Sequence, residues 1–176
     1  MNRQPPRLRC TLVSSSLGTG PRTEDPKPRG TFKCNKSLCL TCKHVVSDVT
    51  LYRKGNPLNI FGHFNCGSSG VVYLIFCAKC PDSWYFGETC NPLRTRLNGH
   101  RRSITQRDMS VPVGKHFNEA GHDLGDLRVL IVRGGLKDTT TRKKVESEFI
   151  AKFSTHLDDG LNRDVGILSR FRSVLV

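Results

Sequence analysis

Long apolar runs are missing from this chain: no stretch approaches the roughly 20 residues a membrane-spanning helix needs. The opening MNRQPPRLRC does not read as a secretory leader either, being basic and proline-broken rather than an apolar core behind a charged end. Both absences predict a nuclear or cytoplasmic protein with no membrane partner. They also weigh against a secreted disulfide framework for the eight cysteines. Acidic residues are scarce, 15 Asp and Glu against 28 Lys and Arg, for a formal charge of +13. That surplus suits an anionic partner, nucleic acid first, though a basic solvating surface gives the same arithmetic. Apolar residues make up only 36% of the 176, so part of the chain is expected to stay outside a packed core. No internal repeat is present.

What is there falls into three stretches. Residues 1–30 are rich in Pro, Gly, Ser and Arg without periodicity, and read as a disordered basic tail or linker. Residues 31–66 are cysteine-rich and poorly patterned, with too few apolar residues to fold unaided, which suits a metal-stapled module. From Gly67 to Val176 the pattern is that of a packed domain. "VVYLIFC" and "SWYFGE" read as strands joined by a turn at Pro81 and Asp82. "NPLRTRLNGHRRSITQ" reads as a helix capped by Asn91 with Pro92 in its first turn. A short helix over 112–121, a third strand "LRVLIVR" and a long helix over 137–153 capped by Asp138 or a following threonine follow, with a last helical turn within 164–173. The order predicts an α/β (α+β) fold: a small three-stranded antiparallel sheet flanked by helices, with zinc-stapled segments.

Two helices place polar groups beside their apolar faces. At about 100° per residue, Leu93, Leu97 and Ile104 define the core line of the first helix. Arg96, His100 and Arg107 form a stripe next to it, while Arg102 points away. Arg94, Arg101 and Arg107 complete an acid-free basic segment suited to a phosphate backbone. On the long helix Val145, Phe149, Ile150 and Phe153 set the apolar arc. Glu146 falls inside it and Glu148 outside. An acid among apolar residues needs a partner or a metal. Arg142, one turn earlier, offers an ordinary ion pair; a metal ligand is the other reading, and the sequence leaves both open.

Taken in order, Tyr73 in "VVY", Tyr85-Phe86-Gly87, Arg96-x-x-x-His100, the late helical Glu146 and Asn162 in "GLN" resemble the GIY-YIG nuclease family across about residues 70–165. The first motif has Val71 in place of Gly, and Phe86 replaces the middle Ile; both are apolar strand positions. Cys77-x2-Cys80 followed by His116-x5-His122 resembles the zinc insertion of the endonucleases of Penelope-like retroelements. The segment with "LCLTC" and "FNCGSSG" is similar to the region preceding the nuclease there. The resemblance covers only the C-terminal part of such elements, which makes a reverse-transcriptase domain outside this chain an expected partner.

The resemblance implies a metal-dependent endonuclease that nicks DNA. Glu146 would hold a Mg²⁺ or Mn²⁺ ion, a hard cation that keeps several waters. Arg96 would grip the scissile phosphate with its planar fork. Tyr73 would be the base, its ordinary pKa of about 10 lowered by a nearby cation. His100 would share that role or pass the proton on, Tyr85 would orient a phosphate oxygen or water, and Asn162 would shape the pocket. The rival is a catalytically inactive zinc-containing nucleic-acid-binding or interaction protein. Zinc takes four N or S ligands in a tetrahedron. The resemblance assigns Cys77, Cys80, His116 and His122 to one zinc, with thiol–disulfide chemistry at Cys77 and Cys80 as its competitor. A second site is expected from Cys34, Cys39, Cys42 and Cys66, with His44 or His63 able to replace one member. Cys10 and Cys90 are left as free thiols.

Overall fold

The computed structural model describes residues 26–119, 121–157 and 159–168. Cys10, nearly all of the expected tail and the end of the expected last helical turn lie outside them. In chain order the elements are β1 (Gly30–Phe32), β2 (Thr50–Arg53), β3 (Asn56–Asn59), β4 (His63–Asn65), β5 (Val71–Cys77), β6 (Trp84–Thr89), α1 (Leu93–Thr105), α2 (Pro112–His116), β7 (Leu127–Arg133) and α3 (Thr139–Phe153). The architecture is α+β. Its centre is an antiparallel sheet of order β6-β5-β7, with Tyr73 opposite Gly87 and Ile131, and Ile75 opposite Tyr85.

The central strand is buried on both faces, which is why "VVYLIFC" is continuously apolar instead of alternating. Val71, Tyr73, Ile75 and Cys77 pack with Leu93, Leu97 and Ile104 of α1 and Val113 of α2. Val72 and Leu74 turn the other way, onto Trp84, Phe86, Ile150 and Phe153 beneath α3. Neither edge of the sheet is left open, as unpaired strand edges invite wrong pairing. Along β7, Ile131 N–H donates to Thr31 Oγ1 at 2.8 Å and Val129 N–H to the His44 carbonyl at 2.8 Å. Along β6, Leu161 N–H donates to the Trp84 carbonyl at 2.9 Å.

Residues 31–66 lie on this sheet. Thr31 and His44 cover β7, and Leu58 and Ile60 enter the α3-side core. β2 and β3 form a hairpin around Lys54 and Gly55, both at positive φ (47° and 80°), the combination a tight two-residue hairpin turn demands. Arg53, 2% exposed, runs inward from that hairpin. Its Nε donates to the Asp82 carbonyl and its Nη1 to the Phe153 carbonyl at the end of α3.

The helix ends differ from expectation in instructive ways. Asn91 does not cap α1. The cap position is Pro92, and the amides of Leu93 and Arg94 donate to the carbonyls of Ser68 and Cys66, both at 2.9 Å. A neighbouring loop supplies the acceptors that a capping side chain would otherwise provide. α1 ends at Thr105, and Arg107 sits beyond it at φ 53°, so the helical stripe stops short of Arg107. α2 is a single turn ending at His116, ahead of Gly121. Asp138 does cap α3, accepting from Thr141 N–H at 2.6 Å.

Candidate active site and metal centres

Gly87 makes the site possible. It faces Tyr73 across the sheet, and a Cβ there would sit 2.4 Å from the Tyr73 hydroxyl and 2.9 Å from Tyr85 Cε1. Without that carbon the two tyrosines share one face and both rings meet His100 edge-on, with centroids 5.8 Å and 5.4 Å away. α1 brings Arg96 and His100 to the same point, four residues apart. Arg96 Nε–H donates to the Tyr73 oxygen at 2.9 Å, and Tyr73 lies 2.8 Å from His100 Nε2. Burial, then the Arg96 charge, hold His100 down to about 3, so it is neutral at neutral pH. Arg96 can only donate, so the Tyr73 hydroxyl keeps its proton free to give to Nε2 in the tautomer of His100 protonated on Nδ1.

A cavity of about 470 Å³ opens beside this chain of hydrogen bonds, walled by Tyr85, Arg96, His100, Glu146 and Asn162. Arg96 keeps exposed surface there, and Tyr85 is half-buried. Tyr73 is fully buried behind them and does not reach the cavity. Burial first of all pushes its hydroxyl well above the usual tyrosine range despite Arg96. The lowered pKa expected of a base is thus absent at Tyr73, because desolvation outweighs the single cation. Burial likewise raises Tyr85, with Arg96 partly offsetting it.

Glu146 reaches the cavity while Glu148 stays exposed. The ordinary pairing of Glu146 with Arg142 is not made. Arg142, 2% exposed, gives its Nε to Glu88 at 2.7 Å and its other donors to the Leu136 and Lys137 carbonyls and Thr139 Oγ1. Burial, with the Glu88 carboxylate second, raises Glu146 to about 7; the Glu88 amide and the Arg96 charge pull against it. A half-buried carboxylate without its own ion pair, facing an open cavity, has the donor chemistry a Mg²⁺ ion takes.

Asn162 holds the edge of β6 like an extra strand. Its Oδ1 accepts from Phe86 N–H at 2.9 Å and from Thr155 Oγ1 at 2.7 Å, and its Nδ2 donates to the Phe86 carbonyl at 2.8 Å. Of the basic residues, none of Arg94, Arg101 and Arg107 lines the cavity. Arg94 lies over Gly67, Arg101 donates to Asn98 Oδ1 at 3.1 Å, and Arg107 is exposed past the helix end. Arg163, which no sequence motif singled out, does line it; its position next to Asn162 was the only clue. Glu88 as the partner of Arg142 also escaped the sequence, since the pair is 54 residues apart.

Both cysteine and histidine groups converge. The ligand atoms of Cys34, Cys39, Cys42 and Cys66 lie within 4.8 Å of one another, and so do those of Cys77, Cys80, His116 and His122. A tetrahedron with bonds of ~2.3 Å to sulfur and ~2.0 Å to nitrogen has S···S edges of about 3.8 Å and S···N edges of about 3.5 Å. Cys34–Cys42 and Cys42–Cys66 are 3.7 Å and 3.6 Å apart, and Cys77 lies 3.4 Å from His122 Nδ1. His116 Nε2 is buried with no hydrogen-bond partner, a cost that a metal bond removes. Both groups could hold a structural metal such as zinc. Neither histidine alternative takes part: His44 Nδ1 bonds the Leu127 carbonyl and His63 Nδ1 the Pro28 carbonyl. Cys90 is exposed and outside both groups.

Among the described residues no helix is long and apolar enough to cross a membrane. No family model, curated protein or solved structure matches the chain.

Proposed function

We propose that the protein is a metal-dependent DNA endonuclease that nicks one strand, of the GIY-YIG type its motifs resemble, and of the retroelement branch with two structural zinc centres. The observation that carries the reading is the Arg96–Tyr73–His100 chain set against Glu146 across one cavity. Phosphodiester hydrolysis needs a charge clamp on the phosphate, a positioned water and help for the leaving oxygen. Arg96 is the clamp: Tyr73 fixes its Nε from behind while exposed guanidinium surface remains for phosphate oxygens. Tyr73 acts as a positioning residue, locking Arg96 and His100 together. Tyr85 and His100 face the phosphate, and Asn162 keeps β6 in place beneath it. Glu146 is the residue to hold Mg²⁺ or Mn²⁺, and such an ion supplies Lewis acidity and a water of lowered pKa when bound.

One observation favours the inactive binding protein instead. With Tyr73 buried and His100 held down to about 3, neither is a ready base at neutral pH. Supercoiled plasmid decides between the two. Zinc-loaded protein with added Mg²⁺ is expected to convert it to open circles, and both omission of Mg²⁺ and Glu146→Ala should abolish that activity. DNA binding without any nicking by the unmodified protein would replace the nuclease with the binding protein.

A further inference from the structure

A second cavity, of about 540 Å³, adjoins the first; that is within the ~300–1,000 Å³ of ligand-sized clefts. Pro112, Asn162 and Arg163 line both, so the two are neighbours along the outer edge of β6. The Asn162 amide pins the strand between them. One wall of the second cavity is the Cys77–Cys80–His116–His122 centre, through Cys80, His116 and His122. Two thiolates, two neutral imidazoles and a divalent ion carry no net charge, so this wall does not repel an anion. Lys115 and Arg163 are exposed cations of the rim. Asp159 on the same rim is met by Lys54 Nζ at 3.6 Å, and Glu119 on the rim and Asp108, which feels the Arg163 charge, are further acids opposing the two cations. Met109, 51% exposed, and Pro112 add apolar surface. Arg163 also bears electrostatically on Tyr85, so its charge reaches the first cavity from the second.

The geometry points to the second cavity as the seat of the nucleotide adjoining the scissile phosphate. Lys115 and Arg163 hold that nucleotide's own phosphate, Met109 and Pro112 meet its sugar and base, and the cysteine–histidine centre is the wall that keeps α2 and the Cys77–Cys80 turn in place around it. This rests on the nuclease reading, since it places the DNA strand along β6 from one cavity to the next. It gives the cysteine–histidine centre a part in shaping the substrate groove in addition to stapling the fold.

The test is fluorescence anisotropy of a short fluorescein-labelled DNA duplex, with Ca²⁺ in place of Mg²⁺ so that the duplex stays intact. The Lys115→Ala/Arg163→Ala double variant is expected to bind about tenfold or more weakly, and to flatten the slope of log K against log salt by ~1, as the two cations share one phosphate. Glu119→Gln, which removes an opposing charge from the rim, should tighten binding about twofold or more, a gain that misfolding cannot mimic. Lys144→Ala/Lys152→Ala removes the same charge from the exposed side of α3 and should change the slope far less. An unchanged slope in the first double variant, an equal loss in the second, or no gain in Glu119→Gln overturns the assignment. If the unmodified protein binds DNA but never nicks it, the nuclease reading fails while these slopes still judge the second cavity.

Discussion

Replacing Glu146 by glutamine removes a charge from a place that resists it. Burial, with Glu88 second, lifts its carboxyl from 4.5 to about 7. The folded chain therefore holds this proton more tightly than the unfolded chain does. Stability attributable to the group is greatest below the unfolded value and falls as pH rises through that window, with the full penalty present above about 7. A shift of that size has a ceiling of about 3 kcal/mol. Solvent at the cavity mouth screens it, and ~1–2 kcal/mol is the working figure. Glutamine is nearly isosteric and escapes the penalty, so Glu146→Gln should melt about 2–8 °C higher than the parent at pH 8 for a chain of this length. At pH 6, where the folded parent carboxyl has taken up its proton, the gap between the two should be smaller. Added Mg²⁺ should raise the parent's melting temperature at pH 8 by mass action and leave the variant unmoved. Nicking should vanish in the variant. Melting followed by circular dichroism, on zinc-loaded protein at both pH values with and without Mg²⁺, reads the stability effects, and the plasmid assay reads the nicking. A variant no more stable than the parent at pH 8 would show that the carboxylate is not desolvated there. Equal stabilisation of both proteins by Mg²⁺ would show that the ion binds elsewhere.

Native mass spectrometry should find two zinc ions per chain, with Cys34→Ser and Cys77→Ser each losing one; a single zinc in the parent contradicts the convergence of one of the two groups. Gly87→Ala puts a methyl 2.4 Å from the Tyr73 hydroxyl. It should cost about 1–3 kcal/mol of stability, as overpacking does, and should displace Tyr73 from Arg96 and His100, so full nicking by the folded variant speaks against that geometry. Arg96→Ala should lose cleavage at every salt concentration in single-turnover assays. Arg102→Ala, exposed on the outer face of α1, should at most weaken binding, and a loss equal to that of Arg96→Ala would mean the helix is docked the other way round.

The sheet was legible because its strands announce themselves. Val71–Cys77 and Leu127–Arg133 are apolar runs of the right length, and Asp138 caps α3 where its spacing predicts. The helical positions of Arg96, His100 and Glu146 followed from periodicity, since a 3.6-residue repeat fixes which side chains share an edge. Periodicity failed where the helix stopped. Nothing local in "SITQRD" marks the left-handed turn at Arg107, so the stripe was carried too far. Contacts between distant segments were out of reach. Arg142 was offered Glu146 one turn away and chose Glu88 on β6, because α3 lies across that strand. The burial of Tyr73 was equally hidden, since a strand tyrosine has the same sequence signature whether its hydroxyl ends in water or beneath a helix.

The upstream cysteines belong to the same mechanical unit as the candidate active site. Cys66 supplies a thiol to the four-cysteine group, and its carbonyl accepts the amide of Arg94, in the first turn of the helix that carries Arg96 and His100. Ser68, two residues on, accepts the amide of Leu93. With no capping side chain on α1, these two carbonyls are what satisfies the start of the helix. Fixing the Cys66 thiol on a metal fixes its carbonyl, and so the position of the helix end. Arg96 lies less than one turn from that end, and a hydrogen bond to Tyr73 tolerates only a few tenths of an ångström. At the other end of β5, Cys77 belongs to the mixed cysteine–histidine group. The strand bearing Tyr73 thus has one group able to hold a metal just ahead of it in sequence and another at its last residue, so the geometry of the candidate site is expected to depend on filling both.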